Sequence, residues 1–256
     1  MGFFDLFKRK SAIEKHGERV ADKRAVAGDR WESIRALGMI ATTEPNAGAE
    51  DERSAAVAAL FPRFTYYVDP PRGVPVAQAI TDEEEKDEVL RWVVEAGEDV
   101  SLEPLRAAMK TQDSLSWALR CLERMLPADR AIEEMIALLG TMSTDYQRDP
   151  TRKQQLLGRL EELSDPRIAE AVAPHFTDVD EMARFHATIA ALRQANGESQ
   201  LTAIREALEM EESVRVKVRV LDLLVEKGWS LGEGASKIEL PDGYALDKSG
   251  KPRRAK

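Results

Sequence analysis

A pair of amphipathic helices returns along this chain at a nearly constant interval, and that interval restricts the fold more than any single motif does. Apolar residues spaced three and four apart mark first helices beginning near Asp29 ("DRWESIRALGMI"), Asp82 ("DEEEKDEVLRWVVEAG") and Asp113 ("DSLSWALRCLERML"). Three more begin near Asp149 ("DPTRKQQLLGRLEEL"), Asp180 ("DEMARFHATIAALRQANG") and Glu211 ("EESVRVKVRVLDLLVEKG"). These starts are 53, 31, 36, 31 and 31 residues apart. A second apolar helix follows within each interval: "DERSAAVAALFPRF", "VSLEPLRAAMK", "ADRAIEEMIALLG", "DPRIAEAVAPHF" and "ESQLTAIREALE". Each start carries an acid, which suits an N-cap or first turn because it answers free N–H groups and the helix dipole. A helix pair repeated this way buries its apolar faces only against its neighbours. The expected fold is all-α, an α-solenoid of about five to six helix pairs over residues 29–228.

Two of these segments, "DPRIAEAVAPHF…DVDEMARFHATIAAL" and "EALEMEESVRVKVRVLDLLVEKGW", resemble HEAT repeats of the short bacterial type found in phycobilisome lyases. Val214 and Arg215 match the Val-Arg pair of that pattern; "DSLSWALRCL" and "DRWESIRALG" fit more loosely. The resemblance implies helical-repeat scaffolding that binds proteins, and by analogy alone a lyase acting on a tetrapyrrole-like ligand.

Both ends depart from the repeat. In "MGFFDLFKRK", Phe3, Phe4, Leu6 and Phe7 fall largely on one side of a short amphipathic helix, ahead of Lys8, Arg9 and Lys10. Burying four such side chains, at about 1.5–3 kcal/mol each, is matched by the cost of ordering the peptide at about 1–2 kcal/mol per residue. The peptide is therefore read as a detachable hook for the fold, a partner or, weakly, a membrane surface. Ser11 and Glu14 form a capping-box pattern that opens a capping helix, so residues 1–28 make the N-terminal cap. After Gly228, Pro241-Asp242-Gly243 signals a turn within a small hairpin or irregular extension, residues 229–256, with a basic tail.

Charge narrows the function. Residues 1–30 carry eight Lys/Arg against five Asp/Glu, residues 237–256 six against three, and the body between them 23 against 38. A body with that balance lacks the clustered cations that nucleic-acid backbones require. Cys121 is the single cysteine, set among apolar neighbours as a buried inert thiol. With no apolar run long enough to span a bilayer and no secretory pattern, the expected location is the cytoplasm.

Catalytic groupings are sparse. His16, His175 and His186 are scattered; His175 and His186 with Asp178 or Asp180 form the one conceivable metal set, and helix-end roles explain them better. The acidic runs "DEEEKDE" and "EMEES" read as solvated helix starts. "WSLGEGASK" lacks the remainder of a phosphate loop. No cofactor, metal or catalytic residue is expected. The strongest binding candidates are Arg63, Phe64, Tyr66 and Tyr67 in "FPRFTYYVDP", with Arg72 and, in the insertion at 140–150, Tyr146. The competing role for these aromatics is to seal a helix-to-loop junction. Trp31, Trp92, Trp117 and Trp229 are read as core. The expectation is a non-enzymatic adaptor that binds another protein through its second helices and the loops at 65–81 and 140–150.

Overall fold

The computed structural model describes residues 11–44, 50–70, 73 and 79–255, except for the side chains of Glu50 and Asp51. Residues 3–10 and Arg72, singled out above, lie outside the described residues. Among the described residues the chain is mostly helical, 69% helix with twelve α-helices, and has almost no strand. It divides into two compact units, Met1–Ala128 and Asp129–Lys256. No helix among the described residues is long and apolar enough to cross a membrane.

The N-terminal unit holds α1 (Ala12–Ala21), α2 (Ala27–Thr42), α3 (Glu50–Leu60), α4 (Asp82–Ala96), α5 (Glu98–Thr111) and α6 (Ser116–Met125). Helix α2 lies against α4 and α4 against α6, while α3 lies against both α1 and α5. Ile34, Leu37, Leu60, Val93, Leu105 and Leu122 are buried between them. Helices α2 and α4 approach closely because position 38 is glycine: a Cβ there would stand 2.0 Å from the Trp92 ring. All four tryptophans are half-buried rather than fully enclosed. Trp117 stacks on Phe64 at 5.6 Å between ring centres, and the Arg91 guanidinium lies 4.0 Å above the Trp92 ring.

The C-terminal unit holds most of α7 (Ala128–Leu139), then α8 (Thr151–Glu162), α9 (Pro166–Ala171), α10 (Glu181–Arg193), α11 (Leu201–Met210) and α12 (Val214–Lys227). Helix α8 lies against α10, and α10 against α12. Met135, Leu157, Ile168, Ile189, Leu192 and Leu224 are fully buried. Both units thus place each first helix against the next, at the positions the apolar periodicity marks.

The caps differ from the expected acids. Asp180 caps α10 by accepting from the Ala183 N–H at 2.8 Å, and Asp165 caps α9. Thr81 and Ser213 cap α4 and α12 instead, while α2 and α6 have no side-chain cap. The Ser11–Glu14 capping box at α1 is present, and Thr81 and Glu84 form a second. Hydroxyl oxygens accept the same orphan N–H groups as carboxylates do, so Asp82 stands inside the first turn of α4 and Glu211 two places ahead of the cap of α12.

Beyond Gly228, which ends α12 in the left-handed conformation, a 3-10 turn (Glu233–Lys237) leads to the antiparallel hairpin of β1 (Tyr244–Leu246) and β2 (Pro252–Arg254). The hairpin turn is Asp247–Gly250, not Pro241-Asp242-Gly243, which precedes β1. Asp247 Oδ1 accepts from the N–H groups of Ser249 (2.8 Å) and Lys251 (3.0 Å) and so closes the tighter turn. Gly250 is required there: φ is +77°, and a Cβ would stand 2.0 Å from the Gly232 carbonyl. The basic end of the chain lies on α12 through β2, with Tyr244 Oη donating to Asp222 at 2.5 Å and Arg254 pairing with the same carboxylate at 2.8 Å.

Candidate partner-binding edge

Several of the segments that lead from a second helix into the next first helix are held by buried charge. In the N-terminal unit the 3-10 turn Phe61–Thr65 follows α3, and Arg63 within it is fully buried. Its Nε donates to Glu85 Oε2 at 2.5 Å, its Nη2 to Asp82 Oδ1 at 2.5 Å, and its Nη1 to the Tyr66 carbonyl at 3.1 Å. Arg30, from α2, forks onto Glu85 at 2.8 and 2.9 Å, and Lys86 pairs with Asp82 at 2.7 Å. Burial alone would raise the Asp82 carboxyl, but hydrogen bonds from Lys86 and Arg63 hold it below its usual range. The Tyr66 ring lies 4.7 Å from the Arg63 guanidinium, and its hydroxyl donates to the Val20 carbonyl. Burial, partly offset by Arg63 and Arg30, pushes the Tyr66 hydroxyl up to about 12.

Arg63 and Phe64, expected at a partner surface, are therefore interior. Arg63 neutralises two carboxylates that would otherwise be buried with fewer partners, and Phe64 stacks on Trp117. The acidic run "DEEEKDE" is likewise not wholly solvated, because Glu85 and Lys86 are buried. Two carboxylates three apart on one helical face call for a cation from elsewhere in the chain, and that was the signal available in the sequence.

The C-terminal unit repeats the device with other residues. The 3-10 turn "APHFT" (Ala173–Thr177) matches "FPRFT" (Phe61–Thr65) at Pro, Phe and Thr, with Pro62 and Pro174 112 residues apart and His175 in the place of Arg63. This recurrence is legible in the sequence itself. His175 Nδ1 lies 3.0 Å from Asp178 Oδ2, and Lys153 Nζ donates to Asp178 Oδ1 at 2.8 Å and to the Ser143 carbonyl at 3.0 Å. Arg184 forks onto Glu211 at 2.7 and 2.9 Å and donates to the carbonyls of Asp178 (2.8 Å) and Val179 (3.1 Å). Burial would raise Glu211, but the Arg184 hydrogen bonds hold it low. His186 pairs with Glu161 at 2.7 Å, so His175 and His186 serve separate partners. No three His, Cys, Asp or Glu side chains converge as a metal site among the described residues.

Above these buried pairs the connectors carry exposed apolar side chains. Seven large hydrophobic residues are exposed among the described residues, and six of them are Val26, Tyr67, Tyr146, Val179, Met210 and Val214, on connectors or the helix ends that bound them; Met39 on α2 is the exception. Tyr67 and Tyr146, both expected contacts, are 68% and 79% exposed, while Tyr66 is half-buried. In the C-terminal unit the connectors touch: the Val179 N–H donates to the Thr144 carbonyl at 3.1 Å. A cleft of about 330 Å³ opens beside them, lined by Phe176, Val179, Ala207, Met210, Glu211 and Glu212 among others. A second groove, of about 450 Å³, lies between α3 and α5 over Phe61, Pro62, Pro104 and Ala107. Gln112 at its edge donates to the Phe61 carbonyl at 2.9 Å, and its own Oε1 has no hydrogen-bond partner among the described residues.

Compared with family models, curated proteins and solved structures, the chain finds no match in any of the three.

Proposed function

We propose that this chain is a non-enzymatic helical-repeat adaptor of HEAT type, an α-solenoid of about five to six helix pairs, that binds another protein along its connectors and the groove between second helices. The observation that carries the reading is the placement of exposed apolar side chains. Among the described residues six of seven lie on or beside connectors, and Arg63, Lys153 and Arg184 fix from below the backbones of those that carry Tyr67, Tyr146 and Val179. Scattered single hydrophobes are ordinary on a protein surface, whereas adjoining ones mark an interaction site, and Val179 and Met210 line one cleft. Tyrosine suits such a site because its ring gives contact area while its hydroxyl stays solvated. Support for the repeat architecture comes from the helix-pair spacing and from the packing of α2 on α4, α4 on α6, α8 on α10 and α10 on α12.

The test is site-specific photocrosslinking in native lysate, with the crosslinker at Tyr67, Tyr146 or Met210 and, as controls, at exposed Lys110 and Glu170. A reproducible adduct from connector positions and none from the controls is the expected result. Adducts absent from all three connector positions would end the adaptor reading.

A further inference from the structure

We propose that the connectors of the C-terminal unit dock residues 3–10 supplied by a second copy of the same chain. This rests on the adaptor reading and names an occupant for one part of that surface. The cleft there is lined on its apolar side by Phe176, Val179, Ala207 and Met210, with Val179 60% and Met210 68% exposed. A volume of about 330 Å³ admits one large side chain with room for its neighbours. Its wall is set in advance. Arg184 holds Glu211 with two hydrogen bonds and the backbone of Asp178 and Val179 with two more, and Val179 is tied to Thr144. A preformed wall spares a ligand the cost of ordering it.

Charge selects the occupant. Glu212 is exposed at the cleft, with no ion pair to its carboxylate among the described residues, and Asp145, Asp149 and Glu181 are exposed on the same connectors and the helix that follows. The cation that lines the cleft, Arg184, is spent on Glu211, and the exposed cations nearby in sequence are Arg148 and Arg215, the latter engaged over the Phe185 ring at 5.0 Å. A segment that fits must offer bulky apolar side chains next to cations. Residues 3–10 of this sequence do so: Phe3, Phe4, Leu6 and Phe7 stand before Lys8, Arg9 and Lys10, with Asp5 the single acid. One such segment accompanies every cleft. The segment precedes α1, which packs on α2 and α3 in the N-terminal unit, whereas the cleft is built wholly within the C-terminal unit. Two copies satisfy the contact without asking anything of how the units of one copy are related. Such a head-to-tail contact makes rings or chains of copies.

The experiment uses the full chain carrying Phe3→Asp, Phe4→Asp and Phe7→Asp, which empties the surface of its own segment, and a fluorescein-labelled peptide MGFFDLFKRK as probe. Anisotropy should show saturable binding, weakened about tenfold by Met210→Asp and severalfold by Glu212→Lys, and weakened again as salt rises from roughly 50 to 500 mM. Both substituted side chains are exposed, and circular dichroism checks that each variant folds. In sedimentation velocity the unmodified chain should associate with rising concentration, and the triple-Asp chain should not. Absence of saturable binding up to about 500 µM peptide overturns the proposal, as does binding indifferent to both connector variants. A chain that binds the peptide but stays monomeric at every concentration overturns the second copy as its source. None of these failures touches the crosslinks of Tyr67, so the adaptor reading stands or falls separately.

Discussion

The buried charge cluster beneath the α3–α4 connector makes an ordered prediction. Three cations, Arg30, Arg63 and Lys86, share two carboxylates, Asp82 and Glu85, and Arg30, Arg63 and Glu85 are each no more than 1% exposed. In Arg63→Met each carboxylate keeps a cation, because Glu85 retains the fork from Arg30 and Asp82 retains Lys86 at 2.7 Å. The loss should sit at the low end for a broken buried pair, about 3 kcal/mol. Glu85→Gln is worse, since it leaves two buried guanidinium groups facing an amide; about 4–5 kcal/mol is expected. At roughly 4 °C per kcal/mol for a unit of this size, Tm should fall by about 12 °C and 16–20 °C respectively. The double variant leaves one guanidinium facing the amide where Glu85→Gln alone leaves two, so it should cost less than the sum of its parts. Urea unfolding followed by tryptophan fluorescence measures this in the right place, because Trp31, Trp92 and Trp117 lie in the N-terminal unit and Trp229 alone in the other. If Glu85→Gln proved milder than Arg63→Met, or cost less than about 1 kcal/mol, the charge argument would be refuted.

Four further outcomes follow from the packing and the shifted groups. Gly38→Ala places a methyl 2.0 Å from the Trp92 ring and should cost about 1–3 kcal/mol in urea unfolding, relieved in part by Trp92→Leu. Cys121, whose thiol burial pushes up to about 12, should resist a disulfide reagent at pH 8 in the native chain and react as one thiol in urea; native labelling at a free-thiol rate would contradict its burial. Asp82 and Glu211 are held low in the folded chain, so the stability they contribute is complete above about pH 5 and drains away as pH falls below about 4. Tyr66 is raised, so its contribution is complete below pH 10 and lost between about 10 and 12, a slope that Tyr66→Phe should abolish in pH-dependent melts.

The sequence spoke most clearly where one element answers to its own periodicity. Helices α2 to α12 stand close to where the apolar spacing places them, because that spacing is a local record of which face is buried. It was silent on long-range polar partnerships. Arg63 among aromatics looks the same whether it meets a partner or Glu85, 22 residues on, and the acids at the start of α4 look solvated until an arginine is brought to them. The C-terminal hairpin was foreseen but its turn was misplaced, since Pro241-Asp242-Gly243 and Asp247–Gly250 are both competent turns and the close approach of Gly250 to Gly232 decides between them. Of the expected contact residues, Tyr67 and Tyr146 are exposed and Arg63 and Phe64 are interior, a division that composition does not reveal.

Exposed apolar connectors standing on buried ion pairs also bear on how such a chain can change over generations. Tyr67, Tyr146, Val179 and Met210 are each at least 60% exposed, so replacing them should alter stability by no more than about 0.5 kcal/mol. The backbone that presents them is fixed by other residues, Arg63, Lys153 and Arg184, which tolerate little change. On the adaptor reading proposed above, recognition and foldedness are thus entrusted to different positions. Mutations can explore new binding specificities on the connectors while the scaffold beneath stays intact, and selection can act on one property with little drag from the other.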